Sequence, residues 1–362
     1  MGLFARSAPL TDQLVLAALS KVQEPELGGD LVSRRMIKEL RVTGGTVSFT
    51  IELTTPACPM KEQIQTEAEA AVRTLPGVEQ VTIAFSANTR NHAGIPEQAP
   101  IPGVSNVVAV AAGKGGVGKS TVAANLAVAL AQEGASVGLL DADVFGPSLP
   151  LMFGVRGQPE AYQNGQGEAV MIPLSGHGIK LISVGFLVDE SQPVIWRGPM
   201  VSQLLRQFLY NVAWAPLDYL IIDMPPGTGD IALTLAQSLP LTGSLIVTTP
   251  QAVATADVVK AMEMFKKVNV PLLGIVENMA YFEAPDTGRR YDIFGSGGAK
   301  RLSAQLDVPL LGEIPLGMAV RAGGDSGAPA VISSAPDAYA ERFRQLARQL
   351  AARISVLKFV AG

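Results

Sequence analysis

The sequence contains one cysteine, Cys58, and only two histidines, His92 and His177, in 362 residues. A single thiol excludes an intrachain disulfide and accords with a reducing compartment, so a cytoplasmic protein is expected. With no ligand-spaced Cys or His around them, His92 in "SANTRNHAGIPEQAPIP" and His177 in "SGHG" read as solvated loop residues rather than metal ligands. Charge is also scarce: 17% of residues are charged and the formal net charge is −4. That balance gives no global pull towards nucleic acid or anionic lipid, and neither nucleic acid nor a stable membrane contact is expected as a partner. Long apolar runs are missing too. The longest uncharged run, between Asp230 and Asp257, is broken by Pro240, Gly243 and Pro250 and reads as helix, turn and buried strand. The N-terminal "MGLFARSAPLTDQ" has no apolar core of signal-peptide length.

What is present is a hydrophobic fraction of 48%, suited to an α/β protein whose strands are covered on both faces. The length predicts two domains of unequal size. Residues 11 to 22 have helical periodicity behind a Thr/Asp cap, and "IKELRVTGGTVSFTIELTT" reads as two strands joined at Gly44-Gly45. A helix through "MKEQIQTEAEAAVRTL" and a strand "VEQVTIAF" complete a small α+β domain, residues 1–86. Residues 87–103 lose periodicity as a linker does, and residues 104–362 form the larger domain. There, "NVVAVAAG", "VGLLDAD", "KLISVGF", "DYLIIDMP", "GSLIVTTP" and "LLGIVENM" are short apolar runs, most of them separated by helical stretches. This alternation predicts a mostly parallel sheet with helices on both faces and its chemistry at the carboxyl ends of the strands.

"GKGGVGKST" follows one of these strands and opens a helix, the context that makes a glycine pattern a phosphate loop. Gly113, Lys114, Gly115, Gly116, Val117, Gly118, Lys119, Ser120 and Thr121 are therefore assigned to nucleotide binding. Backbone N–H groups wrap the anion, Lys119 reaches the β- and γ-phosphates, Ser120 ligates Mg²⁺, and the helix presents its positive end. Two acidic strand ends, in "LLDADVFGPS" and "YLIIDMPPGTGD", supply Asp141, Asp143 and Asp223. Asp223 is assigned to Mg²⁺ and Asp143 to the attacking water, with ATP as the cofactor. One lysine suffices for such a loop, so Lys114 needs a separate explanation.

"KGGVGKST", "DADVFGPS" and "IIDMPPGTGD" together resemble the deviant Walker A ATPases, the group that includes MinD and ParA. The resemblance implies a P-loop NTPase fold and a face-to-face homodimer, with Lys114 matching a signature lysine that reaches the partner's nucleotide. A cation supplied across an interface couples hydrolysis to assembly, much as an arginine finger does. "WRGPM", "TTPQ" and "VENMAYF" narrow the resemblance to Mrp/ApbC-type carriers of iron–sulfur clusters, and the N-terminal unit is similar to the SufT-like small domain. By that resemblance Asn278 contacts the adenine base, and the partners are apo iron–sulfur proteins or assembly factors.

The family's Cys-x-x-Cys pair is replaced by Ala284 and Thr287 in "VENMAYFEAPDTGRRYDIFG". Nearby Glu283 and Asp286 are hard ligands, unsuited to iron–sulfur iron. Cys58, in "TTPACP", has two readings: an iron or cluster ligand, or a small buried hydrophobe. Its place between prolines at a strand-to-helix turn favours the first. Near the C-terminus, Tyr339, Phe343, Leu346, Leu350 and Ile354 share one helical face, which is expected to cover a core rather than lie on a membrane. Three functions follow: an ATP-driven cluster carrier first, then a MinD/ParA-like positioning ATPase, then a nucleotide-dependent scaffold without its own cluster.

Overall fold

A computed structural model describes residues 10–23, 29–53, 60–87, 99–165, 167–188, 198–333 and 338–361. Cys58, His92, Trp196 and Arg197 lie outside the described residues. The chain divides into two compact units, Met1–Arg90 with Ala351–Gly362, and Asn91–Leu350. The grouping of the last twelve residues with the first unit has no counterpart in the linear domain boundaries expected above.

In the first unit, α1 (Asp12–Leu19) starts behind Thr11, whose hydroxyl accepts from the Leu14 N–H at 3.4 Å. β1 (Ile37–Thr43) and β2 (Thr46–Leu53) pair antiparallel across the Gly44-Gly45 turn. α2 (Lys61–Arg73) buries Ile64, Ala68 and Val72, one residue per turn, and β3 (Gln80–Ala87) returns parallel to β2. The alternation of Val47, Phe49, Ile51 and Leu53 places all four in the core beside Val15 and Leu19.

The second unit runs β4 (Val107–Ala112), α3 (Lys119–Gln132), β5 (Val137–Asp141) and α4 (Leu149–Phe153). Three short strands follow, β6 (Ala161–Gln163), β7 (Ala169–Met171) and β8 (Leu174–Gly176), then β9 (Ile179–Ser183) and α5 (Gly198–Tyr210). β10 (Tyr219–Asp223), α6 (Asp230–Ser238), β11 (Gly243–Thr248), α7 (Ala252–Lys267) and β12 (Leu272–Glu283) come next. The last elements are β13 (Arg290–Tyr291), α8 (Gly298–Leu306), β14 (Leu310–Leu316), α9 (Met318–Ser326) and α10 (Ala338–Ala361).

Among the described residues nine strands form one sheet in the order β8-β9-β5-β10-β4-β11-β12, with β13 and β14 both pairing with β12. Among the described residues of this sheet, only β8 and β13 run antiparallel to their neighbours. Every residue of β4, β5, β10 and β11 is buried, as expected of parallel strands covered on both faces. This is the expected P-loop architecture, and the six apolar runs are β4, β5, β9, β10, β11 and β12. Phe343, Leu346, Leu350 and Ile354 are buried. Arg344 and Arg348 of the same helix bond Gln132 and Glu133 at the end of α3, so this amphipathic face is used in packing as expected. Among the described residues no helix is long and apolar enough to cross a membrane.

Candidate nucleotide site

The loop from Gly113 to Gly118 joins β4 to α3 at the carboxyl edge of the sheet. Gly118 has φ +80°, a left-handed conformation that favours glycine, and a Cβ there would strike the Asn278 amide. Gly113 is held for another reason: a Cβ would meet the α7 backbone at Asp257 and Val258. At Gly115 and Gly116 a Cβ would meet nothing within 4 Å, so the mouth of the loop is open.

Asn278 braces the loop from β12, donating from Nδ2 to the Val117 carbonyl at 2.8 Å while 5% exposed. The next residue, Met279, has φ +53°, and the pairing of β12 with β14 shifts register between Asn278 and Phe282. A bulge of this kind re-aims a side chain, here towards the phosphate loop. In this structure the amide serves the loop backbone, a different use from the base contact implied by the family resemblance.

Lys119, 6% exposed, places Nζ 2.6 Å from Asp223 Oδ1, 3.4 Å from Ser120 Oγ and 3.9 Å from Asp143 Oδ2. The strand ends thus bring Lys119, Ser120, Asp143 and Asp223 together. Asp223 is fully buried, and among the described residues its Oδ2 has no hydrogen-bond partner. Asp141, also fully buried, accepts from Ser183 Oγ at 2.9 Å, the Leu149 N–H at 3.3 Å and the Asp143 N–H at 3.2 Å. It anchors the loop that carries Asp143. Burial and, after it, the neighbouring Asp223 charge push the Asp141 carboxyl up to about 7. Burial also raises Asp143, with Lys119 opposing.

Two carboxyl groups, Asp143 and Asp223, thus lie within 4 Å of one buried ammonium, and one carboxylate oxygen is orphaned. This excess of hard oxygen donors beside the Ser120 hydroxyl fits Mg²⁺. Lys114 is half-buried and has no hydrogen-bond or ion-pair partner among the described residues.

Ala284 and Thr287 lie in a turn between β12 and β13, closed by Ala284 N–H to Arg289 O at 2.9 Å and Gly288 N–H to Ala284 O at 2.8 Å. No thiol is present in this turn. His177 is exposed in a turn, as expected, and there its Nε2 lies 2.8 Å from the Gly327 carbonyl oxygen with the ring tilted against Phe153. Among the described residues no group of three or more His, Cys, Asp or Glu is arranged to hold a metal. Sequence reasoning missed Ser183 and Glu277. Glu277 is buried within β12 and accepts from the Ala299 N–H at 2.6 Å, holding the start of α8. A lone acid inside the apolar run "LLGIVENM" was the available signal for it; Ser183 offered none.

A phosphate loop between a buried parallel strand and a helix, with acids ending two further strands of the same sheet, defines a P-loop NTPase. More narrowly, the chain belongs to the NUBPL iron-transfer P-loop NTPase family, whose model matches residues 103–351. A second model, described as iron-sulfur cluster assembly protein, matches residues 12–83. A Synechocystis protein named iron-sulfur cluster carrier protein is 52% identical over 352 residues, covering 97% of this chain and 100% of that one. A Deinococcus radiodurans protein of the same name is 49% identical over 342 residues, covering 94% and 95%. Among solved structures, a nucleotide-binding protein from Archaeoglobus fulgidus in complex with ADP is 38% identical with a TM-score of 0.57, covering 67% of this chain and 93% of that one.

Proposed function

We propose that this protein binds and hydrolyses ATP with Mg²⁺ as a homodimer and carries iron–sulfur clusters to apoproteins in the cytoplasm. The observation that carries the nucleotide half is the Lys119–Asp223 pair, 2.6 Å apart beneath an open glycine loop, with Asp223 Oδ2 unpartnered. The N–H groups of Gly115 to Lys119 receive the phosphates and Lys119 turns from Asp223 to the β- and γ-phosphates. Ser120 and Asp223 would hold Mg²⁺, which would supply charge neutralisation for the bound phosphates. Asp143, tethered through its N–H to Asp141, accepts a hydrogen bond from the attacking water and orients it. Lys114, without a partner among the described residues, serves the nucleotide of the second copy. A relative solved with ADP supports the nucleotide reading.

The cluster half is supported by the names of the two relatives and by the match over residues 12–83. The cluster is cargo, and its ligands differ from the family pattern. The sequence has a single cysteine, Cys58, so a homodimer holds two thiols where an all-cysteine [4Fe–4S] cluster needs four. Cluster binding therefore depends on Cys58 and is completed by a small thiol or by the recipient. Anaerobic reconstitution with iron and sulfide, read by visible absorption and Mössbauer spectra, tests this in wild type and Cys58→Ser. A labile cluster lost in the variant is expected. A stable cluster that survives the substitution defeats the ligand assignment, and failure of both forms to take up iron leaves a nucleotide-driven scaffold.

A further inference from the structure

The acids of the candidate site lie on one flank of the phosphate loop. Asp223 ends β10 and Asp141 ends β5, both to one side of β4, while β11 and β12 form the other side. A nucleotide whose terminal phosphate meets Lys119, Asp143 and Asp223 therefore extends its nucleoside towards β11 and β12, about 4.8 and 10 Å from β4. On that flank, one residue beyond β11, is Thr249.

Thr249 is 4% exposed, and its Oγ1 has no hydrogen-bond partner among the described residues. Thr248 pairs in register with Glu277 of β12, so the residues that follow, Thr249 and Asn278, share a face of the sheet. It is the face from which Asn278 reaches Val117 of the phosphate loop. Thr248 and Glu277 belong to the opposite face, where Glu277 meets α8. The Thr248 hydroxyl bonds the Thr249 carbonyl at 3.2 Å, so of two adjacent buried hydroxyls only the one on the nucleotide face is unpaired. Burying a hydroxyl without a partner is costly, and a ligand that supplies the missing bond removes that cost.

We infer that Thr249 is a specificity-determining residue of this site, its hydroxyl hydrogen-bonding the nucleoside portion of the bound nucleotide. The inference rests on the ATP reading above. A threonine hydroxyl donates one hydrogen bond and accepts others, so a ribose hydroxyl and a base-edge nitrogen satisfy it equally.

The test is calorimetric titration of the full-length protein, as wild type, Thr249→Val and Thr249→Ser, with ATP, 2′-deoxy-ATP, GTP and inorganic tripolyphosphate in the presence of Mg²⁺. Thr249→Val keeps the shape and removes the bond. It should weaken ATP roughly threefold to tenfold, leave tripolyphosphate unchanged, and be rescued by Thr249→Ser. A ribose contact makes 2′-deoxy-ATP weak for wild type but no weaker than ATP for the valine variant. A base contact instead changes the preference for ATP over GTP; either result supports the inference. The nucleotide-free valine variant should melt at or above the wild-type temperature, because an unpaired buried hydroxyl has been removed. A lower melting temperature, an equal loss for tripolyphosphate, or unchanged ATP affinity overturns the role. Wild type that binds tripolyphosphate but no ATP overturns the ATP reading and the inference with it.

Discussion

At the scale of single residues, Lys119 balances a buried acidic cluster before any ligand arrives. Its side chain is 7% exposed and that of Asp223 is not exposed at all. Lys119→Ala should therefore weaken nucleotide binding and also destabilise the ligand-free protein by about 3–5 kcal/mol, since removing one partner leaves a buried charge uncompensated. Calorimetric titration with ATP and urea unfolding check the two effects. Asp143→Asn should retain ATP binding but lose phosphate release in a multiple-turnover assay, because the amide keeps the shape and loses the charge that orients water. Wild-type turnover in that variant would move the role elsewhere.

The raised Asp141 carboxyl gives a pH effect of defined sign. With its folded value pushed up to about 7, the folded chain holds a proton that the unfolded chain has released. The stability from this group is fully present below about pH 4 and is lost as pH rises to about 7. Asp143, raised as well, acts in the same direction. Urea midpoints of the nucleotide-free protein should therefore fall across that window through this group, and the difference between wild type and Asp141→Asn should vary with pH there and level off above it. A difference flat with pH would show that Asp141 is ionised throughout.

Elements differ in how openly the sequence displays them. β4, β5, β10 and β11 are short runs dominated by apolar residues because both faces of each are covered, so their composition exposes them. β14 escaped notice because Gly312, Glu313 and Pro315 interrupt "LLGEIPL", and only pairing with β12 makes it a strand. The phosphate loop was legible because its glycines follow a strand and precede a helix. Its support was not: the Asn278 brace depends on a bulge at Met279, and the Asp141 anchor depends on Ser183, 42 residues away. Within the loop the glycines should separate by mutation. Gly113→Ala presses a methyl into the α7 backbone, which cannot rotate away, and should cost about 1–3 kcal/mol. Gly115→Ala enters open space and should leave the melting temperature of the nucleotide-free protein near wild type. Equal melting temperatures for the two variants would contradict the close approach of loop and helix.

For the molecule as a whole, the division of labour that the sequence suggests is between a large nucleotide-binding unit and a small unit rich in β structure. The proposed roles of the lone thiol and of a second copy leave no mark on the composition or periodicity of one chain, since both concern groups that would meet only on assembly. Lys114→Ala is the informative variant at this scale. It should bind ATP with near wild-type affinity, yet show less ATP-dependent dimer in sedimentation velocity and slower hydrolysis. If nucleotide affinity falls as far as in Lys119→Ala while dimerisation is untouched, Lys114 acts within its own subunit.

The short bond between Lys119 and Asp223 makes the ligand-free site its own competitor. The ammonium has to leave the carboxylate to meet a phosphate, and the carboxylate then needs a new cation. On the proposed reading, polyphosphate and divalent cation would therefore be linked ligands, each raising the affinity for the other by the same factor, because each removes the rival that holds the other's partner. Asp223→Asn breaks this reciprocity: the lysine is released in advance, and the gain in ATP affinity that Mg²⁺ gives the wild type should shrink in the variant. On that reading, cooperativity between two small ligands, usually sought in subunit motions, would be set by a single proton-bearing nitrogen and the two acceptors between which it must choose.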